Sequence, residues 1–175
     1  PGKVASILAR SYYLSNDFTS AKSTLLPIIA EAEQKGAAPT KEDLGMLGLS
    51  ASKLKDDATY LQTMEKLVQY YPSDDYWTDM LIRMQRKAGW SERFRLDVLR
   101  LEDMALKTMA PEEYVEMAEL ALQAGFPTEA KKAMDEGFAA GVLGKGTSAA
   151  SHKQLQNKAN KQAADDVKNI AKGEA

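Results

Sequence analysis

The sequence predicts an all-α protein: an α-α superhelix of about four helix pairs, closed by a C-terminal capping helix. Three observations carry this. First, two stretches about a hundred residues apart repeat one arrangement of small and large residues: LARSYYLSNDFTSAKSTLLPII (Leu8 to Ile29) and MAELALQAGFPTEAKKAMDEGF (Met117 to Phe138). In both, a small residue (Ala9, Ala118) stands twelve places before an alanine (Ala21, Ala130), with a turn between them (Asn16-Asp17, Ala124-Gly125). A large apolar residue (Leu25, Met134) follows four places later. Small residues let two helix backbones approach, and large ones fill the groove beside the contact. Second, such a helix-turn-helix unit leaves an apolar face bare, so its repetition implies side-by-side stacking. Third, apolar positions recur at helical spacing almost throughout, and no sustained two-residue alternation marks a strand.

The composition narrows the classes of function. The 175 residues suffice for about four pairs at roughly 34 to 45 residues each. A net charge of −2, from 23 Lys+Arg against 25 Asp+Glu, lacks the clustered positive excess that nucleic acid requires. The absence of cysteine removes disulfides, thiolate chemistry and Cys-ligated metal. No apolar run approaches the ~20 residues of a membrane span, so no membrane insertion is expected. The opening Pro1-Gly2-Lys3 has neither an initiator methionine nor an apolar signal core, and the chain reads as a piece of a longer protein.

Nine helices are expected. The first carries Val4, Ile7, Leu8 and Tyr12 and ends near Ser15. The second carries Phe18, Ala21, Leu25, Ile28 and Ile29, contains a helix-disturbing Pro27, and stops at Gly36 to Pro39. Thr40 with Asp43 caps a third with Leu44, Leu47, Gly48 and Ala51. The fourth has Tyr60, Met64, Leu67 and Val68 and closes at Tyr71-Pro72. Ser73 caps a fifth bearing Trp77, Met80, Leu81 and Met84, which Gly89 breaks. Ser91 caps a sixth with Phe94, Val98 and Leu101. Pro111 opens a seventh with Tyr114, Met117, Ala118 and Ala121. The eighth covers Thr128 to Ala140, and a capping box at Ser151 and Gln154 opens the ninth. The domain reading is a repeat array over residues 1–142 (repeats 1–39, 40–73, 74–109 and 110–142). A Gly-rich linker over 143–150 and a capping helix and tail over 151–175 complete it.

These residues resemble the tetratricopeptide family, whose repeat places large and small residues at such positions in its two helices. Leu8, Ala9, Tyr12, Phe18 and Ala21 match in the first repeat, Leu44, Leu47, Gly48, Met64 and Pro72 in the second, Trp77 in the third, and Tyr114, Ala118, Gly125 and Ala130 in the fourth. The second repeat has Tyr60 where alanine is usual. The stretch ALQAGFPTEAKKAMDEGFAAGVLGKG is also similar to the C-terminal part of secreted-type bacterial repeat proteins of unassigned role, which implies the periplasm or cell envelope.

The resemblance implies a non-catalytic scaffold that binds a protein or peptide segment on a concave face lined by the first helix of each pair. Projected onto this chain, the groove positions are Arg10, Tyr13 and Leu14, then Met46, Leu49 and Lys53, then Thr78, Ile82, Gln85 and Arg86, and finally Glu116, Glu119 and Gln123. The family's carboxylate clamp is absent, because its key position reads Arg10, Leu49, Ile82 and Glu119. A structural spacer or self-association segment of a larger envelope protein is the alternative. No enzyme is expected, and no cofactor or metal, because one histidine cannot build a triad or a histidine-paired metal site. That histidine, His152, is expected at the surface beside a helix start. The acidic pairs (Asp56-Asp57, Asp74-Asp75, Glu112-Glu113, Asp165-Asp166) suit helix N-termini. The aromatics Tyr70, Tyr71, Tyr76, Trp77, Trp90 and Phe94 suit packing between repeats. GVLGKGTS fails as a phosphate loop because Ala139 stands six before Lys145, Gly146 follows it and no strand precedes it.

Overall fold

A computed structural model describes residues 2–173, and every described element is helical. The chain divides into two compact units, Pro1–Trp90 and Ser91–Ala175. The division falls inside the stretch read as the third repeat.

The first unit contains α1 (Gly2–Leu14), α2 (Phe18–Gln34), α3 (Lys41–Lys53), α4 (Asp57–Tyr70) and α5 (Asp74–Gln85), each packed on the next. Two connections use the same device. Asn16 and Lys55 take the left-handed conformation (φ 62° and 56°), and the following aspartate caps the next helix. Asp17 accepts from the Ser20 amide at 3.0 Å, and Asp56 from the Thr59 amide at 3.1 Å. The Lys22 ammonium, 2.7 Å from Asp56, and the Thr59 bonds hold that carboxyl well below the usual carboxylate range. Ala9 and Ala21 are fully buried between α1 and α2, with Leu25, Ile29, Leu44, Leu47, Ala51, Met64 and Leu67 around them. α2 runs on through Pro27, which is exposed.

In the second unit α6 (Arg95–Ala105) packs on α7 (Pro111–Gln123), α7 on α8 (Pro127–Ala139), and α8 on α9 (Ala149–Ala171). Ala118 and Ala130 are fully buried, like their counterparts 109 residues earlier. The correspondence extends to a third helix: α3 packs on α2 and also touches α1, and α9 packs on α8 and also touches α7.

Several expectations are corrected. Val4, Ile7 and Leu8 do not enter the core; they are 72%, 69% and 47% exposed, because α1 is apolar on two sides and buries the side carrying Ala9. Ser91 makes no side-chain cap: a 3₁₀ turn at Glu92–Phe94 precedes α6, whose buried face is Val98, Leu99 and Glu102 instead of Phe94 and Leu101. The expected linker over 143–150 is tied down. Leu143 is buried against Gly137, where a Cβ would lie 2.6 Å from Leu143 Cδ1, and a 3₁₀ turn at Gly146–Ser148 leads into α9. The Ser151 capping box is absent, since α9 already begins at Ala149 and the Ser151 hydroxyl donates to the Ser148 carbonyl at 2.8 Å. On α9, Ala159 and Ala163 are buried while Val167 and Ile170 are 61% and 62% exposed, and Asp165-Asp166 lie well inside the helix, not at its start. α9 has 23 residues against 13 in α8, so its last turns outrun the helix beneath it.

The buried alanines generate a test. Ala21→Leu or Ala130→Leu should each cost about 1–3 kcal/mol by overpacking, whereas Ala30→Leu on the exposed side of α2 should be nearly neutral. Thermal unfolding of the three variants decides it; equal melting temperatures would contradict the assigned register.

Candidate functional site

Where the third helix crosses a pair, it leaves a cleft beside the first helix. In the first unit this cleft measures about 630 Å³. Ser6, Ile7 and Arg10 of α1 form one wall, Glu42, Asp43 and Met46 of α3 the other, and Ile28 and Ala32 of α2 the floor, with Lys35 at the cap of α2 beside them. In the second unit a cleft of about 570 Å³ has Val115, Glu116 and Glu119 of α7 on one wall and Ser151, His152 and Leu155 of α9 on the other. Each of these six residues stands 109 places after its counterpart in the first cleft. The same opening is thus built twice, with different side chains.

The first cleft mixes charges over an apolar floor. Arg10 Nη1 lies 3.0 Å from Glu42 Oε1 across it, and Lys35 pairs with Glu31 at its rim. Asp43 is buried and stitches α3 in place: it accepts from Ser6 Oγ of α1 at 3.3 Å and from Thr40 Oγ1 at 2.7 Å. Thr40 Oγ1 accepts in turn from the Asp43 amide at 3.1 Å, the cap expected there.

The second cleft is acidic on its α7 wall, where Glu112, Glu116 and Glu119 follow one another, and carries Lys145 and His152 opposite. His152 is half-buried, and its Nδ1 accepts from the Gly144 amide at 3.2 Å. Glu116 is anchored from behind by Arg95 of α6, which donates to both its oxygens at 3.0 and 2.7 Å. Glu102 of α6 lies 3.8 Å from Arg95, and its Oε2 is buried without a hydrogen-bond partner. Burial first, then the Glu113 and Glu116 charges, push its carboxyl up to about 7 against the opposing pull of Arg95.

The expected site residues fall in three places. Arg10 and Met46 belong to the first cleft, but Met46 is 8% exposed and part of the core, because Gly45 and Leu49, not Met46, face outward on that turn. Tyr13 is half-buried edge-on against Phe18, with centroids 5.8 Å apart. Leu14, Leu49 and Lys53 are exposed and line neither cleft. Ile82 and Arg86 line a separate depression of about 550 Å³ with Asp57 and Leu61 of α4. The Gln85 amide donates back to the Leu81 carbonyl at 3.1 Å, and Thr78 is exposed. Glu119 and Glu116 belong to the second cleft, and Gln123 is exposed beyond it.

Of the expected aromatic set, Tyr70, Tyr71 and Tyr76 pack on the first unit's core, while Phe94 belongs to the second unit with Arg93 over its ring at 4.5 Å. Sequence reasoning missed Ser6, Ile7, Glu42, Asp43, Ser151 and Leu155 as cleft walls. Their signal was the 109-residue offset carried past Phe138 into α9.

Among the described residues, no group of three or more metal-capable side chains converges, and no helix is long and apolar enough to cross a membrane. No protein-family model matches the chain, and comparison with curated proteins and with solved structures finds no match.

Glu102 gives this site a pH signature. A glutamate in the unfolded chain releases its proton near 4.5, whereas folded Glu102 holds it to about 7. The folded state therefore binds more protons between these values, and stability should fall as pH rises through that window, by on the order of 3 kcal/mol. Denaturant melts between pH 4.5 and 7.5 should show the decline in wild type, with much of it removed by Glu102→Gln. A profile unaltered by that substitution would contradict the assignment.

Proposed function

We propose that this chain is a non-catalytic scaffold that holds protein or peptide segments in its two equivalent clefts, within a tetratricopeptide-like helical array. The observation that carries the reading is the recurrence of the cleft itself. Two places 109 residues apart keep an opening of similar size between the first helix of a pair and the third helix packed on that pair, while the side chains lining it have changed. A packing fault would not be expected to recur at one register; an opening kept while its charges diverge fits recognition of different segments. Within each unit, an extended or helical segment would lie against apolar anchors with charged rims.

Ile7 and Ile28 supply anchors in the first cleft, and Val115, Val142 and Leu155 in the second. Arg10 and Lys35 are paired with Glu42 and Glu31, so the first cleft selects through its apolar anchors, while Glu112 and Glu119 favour basic segments at the second. The spacer reading draws no support from clefts; it needs only the helix packing.

Selection of a random peptide library against the intact chain tests the proposal. Peptides recovered should fall into two classes, one weakened at least tenfold by Arg10→Glu and the other, basic, by Glu119→Lys. Melting temperatures should barely move, since the Arg10–Glu42 pair is more than half exposed on both sides. Glu65→Lys and Lys161→Glu, exposed elsewhere, should leave both classes bound. Failure to recover any peptide, or equal losses in all four variants, would overturn the reading.

A further inference from the structure

The outer face of α1 is left bare in a way its counterpart is not. Val4, Ile7, Leu8 and Leu14 are 72%, 69%, 47% and 70% exposed, and they share one side of the helix, away from buried Ala9. A helix apolar on both sides is one that packs on both sides. The internal repeat shows what packs there. Shifted by 109 residues, Val4, Ile7 and Leu8 correspond to Glu113, Glu116 and Met117 of α7, and that part of α7 is covered by α6. Leu99 of α6 is fully buried in the same cluster as Met117, which is 2% exposed where Leu8 is 47%. Arg95 and Glu102 flank Leu99 on the same stripe, Arg95 bonding Glu116.

On α1 the acceptor for that arginine is replaced by Ile7, and no carboxylate stands at position 4. An arginine opposite Ile7 would be buried without a partner, at a cost the α6–α7 pair avoids.

We propose that the outer face of α1 is a docking site for an amphipathic protein helix, seated as α6 is on α7. Its docking stripe carries aliphatic residues where α6 has Arg95 and Glu102. The surface is distinct from the clefts in all but Ile7, and the inference does not depend on their binding peptides.

The register makes a specificity swap possible. Two helix-stabilised synthetic peptides spanning residues 92–106 serve as probes on the intact chain: the native sequence, and the same peptide with Arg95→Leu and Glu102→Leu. Wild type should bind the doubly substituted peptide at least tenfold more tightly than the native one, with amide NMR shifts concentrated in α1. Ile7→Glu should reverse that order, restoring the acceptor that Glu116 provides on α7. Val4→Asp should weaken the substituted peptide about tenfold, and Arg10→Glu, a cleft variant, should leave its binding unchanged. The melting temperature should not fall in any of them, since positions 4, 7 and 10 are exposed. Absence of α1 shifts with either peptide, or an order that Ile7→Glu leaves unreversed, would overturn the proposal. So would a wild-type dimer, abolished by Val4→Asp, that blocks the peptides: the occupant would then be a second copy.

Discussion

Alanine stands on both helices where α1 meets α2 and where α7 meets α8, the two most extensively packed pairs among the described helices. Ala9, Ala21, Ala118 and Ala130 have no accessible surface at all. Close approach of the backbones sets the width of each pair, and that width decides where a third helix can lie. α3 and α9 both settle on the second helix and reach across to touch the first. In each unit a cleft remains between that third helix and the first. The clefts therefore follow from the alanines, several steps removed.

One position shows how each unit fixes its third helix once it has arrived. Asp43 and His152 stand at the same register on α3 and α9, and both are tied by hydrogen bonds instead of by apolar packing. Asp43 reaches Ser6 on α1, whereas His152 reaches back to the Gly144 amide in the loop before its own helix. The glycine there has φ 78°, and a Cβ on it would come within 2.6 Å of the Phe138 ring, so the loop is shaped by the side chain beneath it. The role of stitching is kept while its chemistry has changed from carboxylate to imidazole.

Much of this was legible from residue types alone. Helix pairs, the Thr40 and Ser73 caps and the buried alanines follow from local rules, because propensity, capping and small-large patterning act within one or two turns. What escaped is what depends on neighbours. Val4, Ile7 and Leu8 read as core because apolar periodicity cannot say which of two apolar sides is covered. Phe94 read as a packing residue because the 3₁₀ turn that rotates it away leaves no compositional mark. The glycines at 141, 144 and 146 suggested slack, although the burial of Leu143 between them fixes the segment. Of the candidate site, Arg10, Glu116 and Glu119 were readable from register, but their opposite walls were not. α9 keeps the geometry of α3 without keeping its pattern of large residues.

α6 is held differently from every other helix in its unit. Beside Val98, Leu99 and the partly buried Leu96, it carries three ionic attachments: Arg95 to Glu116, Arg100 to Glu129 at 2.6 Å, and Asp103 to Lys132 at 2.7 Å. Dissolved salt shortens the reach of such attractions, from about 8 Å at physiological strength to about 3 Å in molar salt, and leaves alanine contacts untouched. The α7–α8 pair is thus indifferent to the ionic medium, while α6 is not. The ion pairs of α6 are the part of this unit's packing whose strength the surrounding electrolyte tunes.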